Sequence, residues 1–189
     1  MKKLLLTLCA IFCVMTTQAQ EHATFKGVSM GCDMTTFVTQ LKGKGFELKY
    51  IQDNGAVLSG AFAGKEDCTI YVLCSANTKQ VWKVIVDFPK QSSWYSLKGQ
   101  YNSLKESYTA KYGEPKSYEF FSSPYEEGDG YEMTAVGVEK CSYASFFKTT
   151  QCNIVLKIDK DKCVEVQYED NINVGIWRRE KQQAVSNDI

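Results

Sequence analysis

The sequence predicts an α+β fold in which two tandem repeats each pack one helix on a four-stranded antiparallel meander. Each half of the chain has one segment with helical spacing, followed by short alternating segments with turn residues between them. The two halves also match when Phe62 is aligned with Phe146. Neither repeat alone would bury both its helix and its sheet face, so we expect the two sheets to join. The same alignment places Cys68 on Cys152, Ile70 on Ile154, Val72 on Leu156 and Cys74 on Ile158.

Residues 1–19 have the pattern of a secretory signal peptide. Lys2 and Lys3 precede an apolar segment over 4–15, and residues 17–19 supply the small residues that a signal peptidase recognises. The apolar segment is much shorter than the roughly 20 residues of a membrane-spanning helix. We therefore expect these residues to be removed and the mature chain to be periplasmic or secreted, with no transmembrane segment.

The first repeat is expected over residues 20–89. An extended segment precedes a helix over 33–44, because Asp33 is a good N-cap and Gly45 follows the last turn with the residue type that ends helices. The residues Asp53-Asn54-Gly55 are typical of a hairpin turn. Four strands are expected over 46–52, 56–64, 67–75 and 79–88.

The second repeat is expected over residues 90–177 and begins with the clearest helix of the chain, over 93–112. Its apolar residues follow one another at intervals of three or four, which is the spacing of one helix face, and Gly113 with Pro115 ends it. Strands are expected near 116–121, 131–147, 151–158 and 163–169, with an excursion over 122–130 and a polar C-terminal tail over 178–189. The helix face consists of Trp94, Leu97, Tyr101, Leu104, Tyr108 and Tyr112.

The sequence gives no indication of a basic surface that would bind an acidic partner. Removal of Lys2 and Lys3 changes the balanced 22 basic and 22 acidic residues to a net charge of −2, and no basic patch stands out. Nucleic acid and anionic membranes are therefore poor candidates for partners. The aromatic content of 13% and hydrophobic content of 44% are sufficient for a folded core.

Six cysteines remain after the expected cleavage, and an even number in an exported protein favours disulfides. Cys68 and Cys74 lie ~20 Å apart on one expected strand at ~3.3 Å per residue, so these two residues do not pair with each other. Cys32 precedes the first helix, and Cys74 ends a strand expected beside it, which makes Cys32–Cys74 the candidate disulfide. The alternative is that the cysteines are buried free thiols. The six are Cys32, Cys68, Cys74, Cys141, Cys152 and Cys163.

No metal or cofactor site is predicted. The chain lacks Cys-x-x-Cys, and its single histidine, His22, lies in an N-terminal segment expected to be mobile. Phosphate-binding loops, dinucleotide fingerprints and Gly-x-Ser-x-Gly are also missing from the sequence. A cysteine nucleophile would need a base, and His22 is the only imidazole, although a carboxylate or lysine would also serve.

One pattern of glycines and apolar residues extends over most of the mature chain. It consists of residues 25–31, of Phe37, Leu41 and Gly45-Phe46, and of residues 60–64 and 81–84. In this pattern the chain resembles a group of uncharacterised secreted proteins of Bacteroides-type gut bacteria. Its tandem layout of one helix and four strands is also similar to the beta-lactamase-inhibitor-protein-like fold. That fold occurs in inhibitors, outer-membrane assembly lipoproteins and proteins of unknown role, so the resemblance implies no single function.

Two functions remain open. The preferred one is a non-enzymatic, exported module that binds a protein or glycan of the cell envelope through its sheet or through the excursion, where aromatic and acidic residues lie together. The alternative is a hydrolase-like enzyme that uses acidic residues on a concave sheet face. A structural reading of the excursion is that its aromatics attach the loop and its acids are solvated. The candidate binding residues are Trp94, Tyr125, Glu126, Glu127, Asp129 and Tyr131.

Overall fold

The computed structural model describes residues 21–188, so the expected signal peptide lies outside the described residues. Its described part confirms the α+β class, with a large antiparallel sheet and four helices. In chain order the first elements are β1 Thr24–Phe25, β2 Val28–Ser29, α1 Met34–Gly43, β3 Glu47–Gln52, β4 Gly55–Phe62, β5 Lys65–Cys74 and β6 Val81–Asp87. The following elements are α2 Trp94–Tyr112, β7 Lys116–Phe121, α3 Glu132–Gly137, β8 Cys141–Lys148, β9 Cys152–Ile158, β10 Val164–Asp170 and α4 Asn173–Asp188.

The main sheet has eight strands in the order β3-β4-β5-β6-β10-β9-β8-β7. Every neighbouring pair is antiparallel, and the two sets of four strands meet where β6 pairs with β10, with Val86 opposite Val166. We call this junction the seam. The short hairpin of β1 and β2 forms a separate two-stranded sheet. The expected joining of the two sheets is therefore observed.

The helices α1 and α2 lie on the same face of this sheet. The side chains of Asp33 and Ser93 cap α1 and α2 by accepting hydrogen bonds from the backbone N–H groups of Thr36 and Ser96. Alternate residues of β5, β9 and β10 are buried in one core with both helices, as strand geometry requires of a half-covered sheet. The predicted stripe of α2 faces this core through Leu97, Tyr101, Leu104 and Tyr108.

The expected strand over 131–147 is wrong at its beginning. Residues 132–137 form α3, and β8 starts only at Cys141. The alternation of Met133, Ala135 and Gly137 with bulkier or polar residues is a pattern typical of a strand. In the structure, however, Ala135 and Val136 are adjacent in the chain and both are buried. Two adjacent buried side chains suit one turn of helix better than a strand, whose successive side chains point to opposite faces.

The N-terminal segment is attached at the seam, which corrects the expectation that His22 is mobile. The carboxylate of Asp170, at the end of β10, accepts a hydrogen bond of 2.7 Å from the backbone N–H of Ala23. His22 Nδ1 lies 3.2 Å from both oxygens of the same carboxylate. Phe25 then stacks on Phe62 in the first half, with ring centroids 5.3 Å apart, and meets Tyr168 of the second half edge-on at 5.5 Å. The segment therefore fills the core on both sides of the seam.

The chain expected to be a polar tail forms part of the helix α4. Trp177 stacks on Trp82 of β6 with ring centroids 4.2 Å apart. Glu180 accepts hydrogen bonds of 2.8 and 3.1 Å from backbone N–H groups in the turn between β5 and β6. These contacts hold a largely polar helix on the body of the protein.

The candidate disulfide between Cys32 and Cys74 is not formed, and all six described cysteines are free thiols. Cys74 does lie beside the start of α1 as expected, with its sulfur 3.7 Å from that of Met34. The thiol of Cys32, however, donates a hydrogen bond of 3.1 Å to the carbonyl of Ser29. The alternative of buried or half-buried thiols therefore describes these residues.

Among the described residues, no helix is long and apolar enough to cross a membrane.

Candidate functional site

The face of the sheet opposite α1 and α2 carries a row of side chains that crosses all eight strands. We call this surface the open face. None of the residues in the row is buried, whereas on the six inner strands their neighbours along the strand are buried. In order across the sheet, the register partners are Tyr50, Val57, Tyr71, Ile85, Gln167, Val155, Phe146 and Lys116.

Aromatic rings concentrate at the two edges of the open face. At one edge Tyr118, Phe120 and Phe146 are 45%, 50% and 44% exposed, and Tyr50 at the other edge is 51% exposed. Tyr118 meets Phe146 edge-on, with ring centroids 6.0 Å apart and an interplanar angle of 82°. Isolated exposed apolar residues are ordinary, but aromatics that lie together on an otherwise regular face are typical of binding surfaces.

Charged residues lie beside this row at the centre of the open face. Asp87 of β6 is directly opposite Glu165 of β10 across the seam. Lys157 of β9 lies 3.2 Å from Glu165 and 2.8 Å from Asp159, and a second ion pair joins Lys83 to Glu169. Three carboxylates therefore surround one lysine, and the centre of the face has an excess of negative charge.

Asp87 is the carboxylate of this group without a bonded cation. Its Oδ1 atom is buried and has no hydrogen-bond partner among the described residues. Burial above all, together with the nearby charges of Glu165 and Asp159, raises the pKa of Asp87 to about 6. A hydrogen bond with Tyr71 and the charge of Lys157 act against this shift but do not cancel it. The ionised form of Asp87 is therefore poorly stabilised by the protein alone.

The structure brings Trp94 and Glu127 together, and this pair attaches the excursion to the body of the protein. The carboxylate of Glu127 accepts hydrogen bonds from Trp94 Nε1 at 3.2 Å and from the Tyr143 hydroxyl at 3.1 Å, and it forms an ion pair with Lys98. The bond with Lys98 lowers the pKa of Glu127. Trp94 also meets Phe121 edge-on at 5.2 Å.

The other candidate residues of the excursion shape the loop itself. The carboxylate of Asp129 accepts hydrogen bonds from the backbone N–H groups of Glu126 and Tyr131, at 3.0 and 2.7 Å. Tyr131 is exposed and Tyr125 is half-buried. The acids of the loop therefore do not converge on one point, and in the described part of the chain no group of three His, Cys, Asp or Glu residues is placed to hold a metal ion.

A cavity of about 190 Å³ lies beside His22 and is lined by Tyr112, Cys152 and Tyr168 among other residues. Cys152 is the register partner of Asp170, so a thiol, an imidazole and a carboxylate lie near one another. Burial raises the pKa of Cys152 to about 12, and its thiol donates a hydrogen bond of 3.4 Å to the carbonyl of Asn153. A thiol in this state is not an activated nucleophile.

No protein-family model, curated protein or solved structure matches this chain. The sequence predicts the sheet as a binding surface, but the residues of the open face are not among the predicted binding residues. The available signal was the apolar or aromatic residue that alternates with the buried ones, such as Tyr71 and Ile85.

Proposed function

We propose that this chain is an exported, non-enzymatic binding module of the bacterial cell envelope and that it binds a protein partner on the open face. One observation supports this most strongly. Tyr118, Phe120 and Phe146 expose aromatic rings side by side on a face that neither α1 nor α2 covers. Tyrosine and other aromatic residues supply much of the binding energy in protein interfaces because they bury a large area with few rotatable bonds.

The export of the protein is proposed from its sequence. The charged start, the short apolar segment and the small residues before Gln20 together favour cleavage after residue 19. The periplasm or the exterior is then the place where the open face would meet its partner.

We also propose that the two halves are tandem repeats of a beta-lactamase-inhibitor-protein-like fold, related to secreted proteins of Bacteroides-type bacteria. β5 and β9 are each the third strand after a long helix. Their buried residues occupy the same positions when the halves are aligned, with Ile70 matching Ile154 and Val72 matching Leu156. Shared burial at matched positions supports a common origin of the two units.

The enzymatic alternative has one observation in its favour, the raised pKa of Asp87. A carboxyl group that titrates near 6 is suited to general acid or base chemistry at neutral pH. Asp87, however, lies on the open face of the strands, and the cavity beside His22 is lined by other residues. The binding role therefore has the stronger support.

The test uses residues 20–189, purified, immobilised and exposed to solubilised envelope extract. A double variant, Tyr118→Ser with Phe146→Ser, removes the exposed aromatics from the open face. Tyr95→Ser is the matched control, because Tyr95 is 89% exposed on α2, away from that face. We expect chemical crosslinking to capture a protein with the wild type and the control but not with the double variant. Capture that is equal for all three proteins, or that survives protease treatment of the extract, would contradict the proposal.

A further inference from the structure

We infer that the partner presents a cationic side chain, arginine or lysine, flanked by apolar residues, and that this cation binds between Asp87 and Glu165 at the centre of the open face. This inference rests on the proposed function, because it describes what the same face would recognise. It identifies the partner by its chemistry.

The first reason is the arrangement of charge at the seam. Asp87 and Glu165 are direct register partners, and like charges in this position destabilise a sheet. Glu165 shares Lys157 with Asp159, so the lysine is already used by other carboxylates. A second cation at this position would relieve the repulsion between the two acids.

The second reason is that neither carboxylate is fully compensated within the described part of the chain. Asp87 Oδ1 is buried and has no hydrogen-bond partner there, so the charge of this half-buried carboxylate is only partly balanced by the protein. Only one oxygen of Glu165, Oε1, bonds to Lys157 and Gln167, so the second oxygen is available. A guanidinium has several donors in one plane and can bond to two carboxylates at once. A neutral partner would bury the charge of Asp87 without pairing it, which lowers the affinity, so the charge also selects against neutral partners.

The third reason is the apolar surface next to these acids. Ile85 precedes Asp87 by two residues on β6, so both side chains lie on the same face, and Tyr71 of β5 is the register partner of Ile85. Ile85 and Tyr71 are both half-buried on the open face. The row continues from there toward the exposed aromatics at both edges, with Gln167 as a polar residue between Ile85 and Val155. A cation flanked by apolar side chains would therefore meet complementary surface on each side.

The ionisation of Asp87 provides an independent readout. The groups that face it are Tyr71 of β5, Glu165 of β10, Lys157 of β9, Asp159 directly after β9, and Cys163 before β10. A bound cation favours the ionised carboxylate, so its pKa is lower in the complex than in the free protein. Affinity should therefore be constant well above pH 6 and should fall as the pH drops through about 6, because a proton then competes with the cation.

The probe is a phage-displayed library of random dodecapeptides, selected at pH 7.5 on immobilised residues 20–189. We expect enrichment of peptides with arginine or lysine beside an aromatic residue. Synthetic copies in which citrulline, the neutral analogue, replaces arginine should bind about tenfold more weakly or worse, as expected for loss of a charge-assisted hydrogen bond. Asp87→Asn should weaken the arginine peptides by a similar factor and remove the difference from the citrulline peptides.

Controls separate this inference from the proposed function. Glu106→Gln, an exposed carboxylate on α2, should leave binding unchanged, and a thermal unfolding curve verifies that Asp87→Asn is folded. Glu165→Gln gives a second variant, for which we also expect weaker binding. The cation inference alone would be overturned by peptides that bind Tyr118→Ser more weakly than the wild type but have the same affinity with citrulline as with arginine. It would also be overturned if these peptides bound Asp87→Asn as tightly as the wild type. A selection that yields no peptide sensitive to Tyr118→Ser contradicts the proposed function itself.

Discussion

Replacing Asp170 with asparagine changes the group that holds the N-terminal segment, the last strand and α4 together. The carboxylate is fully buried. One oxygen accepts the N–H of Ala23 at 2.7 Å, and the other accepts the N–H groups of Ile172 and Asn173 at 3.0 and 2.7 Å. An asparagine side chain has only one acceptor oxygen, so in either orientation its NH₂ group faces at least one of these donors.

The expected cost follows from these bonds. At least one charge-assisted hydrogen bond is lost, which contributes about 1.5–3 kcal/mol, and a buried N–H loses its acceptor. The two effects overlap, so we expect the free energy of unfolding to fall by about 2–4 kcal/mol. A domain of typical stability, about 5–15 kcal/mol, would remain folded after this change.

Urea denaturation of residues 20–189 measures this cost, and hydrogen exchange at the Ala23 amide locates it. His22→Ala is expected to cost less than about 1 kcal/mol, because its side chain is partly exposed and the other bonds to Asp170 remain. Asp161→Asn, at an exposed turn, should stay within about 0.5 kcal/mol of the wild type. A cost below about 0.5 kcal/mol for Asp170→Asn, with unchanged exchange at Ala23, would refute the reasoning.

Three other results are expected. Leu104→Ala should lower the free energy of unfolding in urea by about 2–3 kcal/mol, at the lower end for leucine because the residue is 8% exposed at the rim of the core; a change under about 0.5 kcal/mol would contradict its packing. Because the pKa of Asp87 is raised to about 6 from 3.8, the folded chain binds more protons than the unfolded chain between these values, and stability should fall as the pH rises through them. Asp87→Asn should remove this dependence and stabilise the protein at pH 7.5 by about 1 kcal/mol, a figure reduced because the group is only half-buried; a less stable variant would contradict the assignment. Because the pKa of Glu127 is lowered from 4.5, its hydrogen bonds should be present above pH 4.5 and lost as the pH falls through the lowered value. The indole N–H resonance of Trp94 should report this loss in the wild type and in a Glu126→Gln control. The same titration should be missing in Glu127→Gln.

The elements that can be predicted from the sequence are those whose buried apolar residues recur at regular intervals. The stripe of α2 and the alternation in β5 each place several buried side chains on one face, and both were predicted from the sequence. α4 has no such pattern. It is held by Trp177 and Glu180, whose partners lie about a hundred residues earlier in the chain, so local spacing does not reveal it.

The candidate site was harder to predict for a related reason. Asp87 and Glu165 are far apart in sequence and belong to different halves, so their opposition depends on the register of β6 against β10. The acids that stand out in the sequence are instead the ones that are close in the chain, Glu126, Glu127 and Asp129. In the structure only Glu127 contacts the body of the protein, and the local clustering of the acids reflects the shape of their loop.

The attachment of the N-terminal hairpin has a consequence for the order of events during synthesis. Its residues precede both halves in the chain, but Phe25 and Ala23 complete their contacts only with Tyr168 and Asp170, at the end of the last strand. Closing so long a loop is slow, so the docking of the hairpin is completed only when that strand is available. During translation Phe25 can stack on Phe62 within the first half, but the side of its ring that meets Tyr168 stays exposed until β10 is synthesised, which gives chaperones an apolar site to bind.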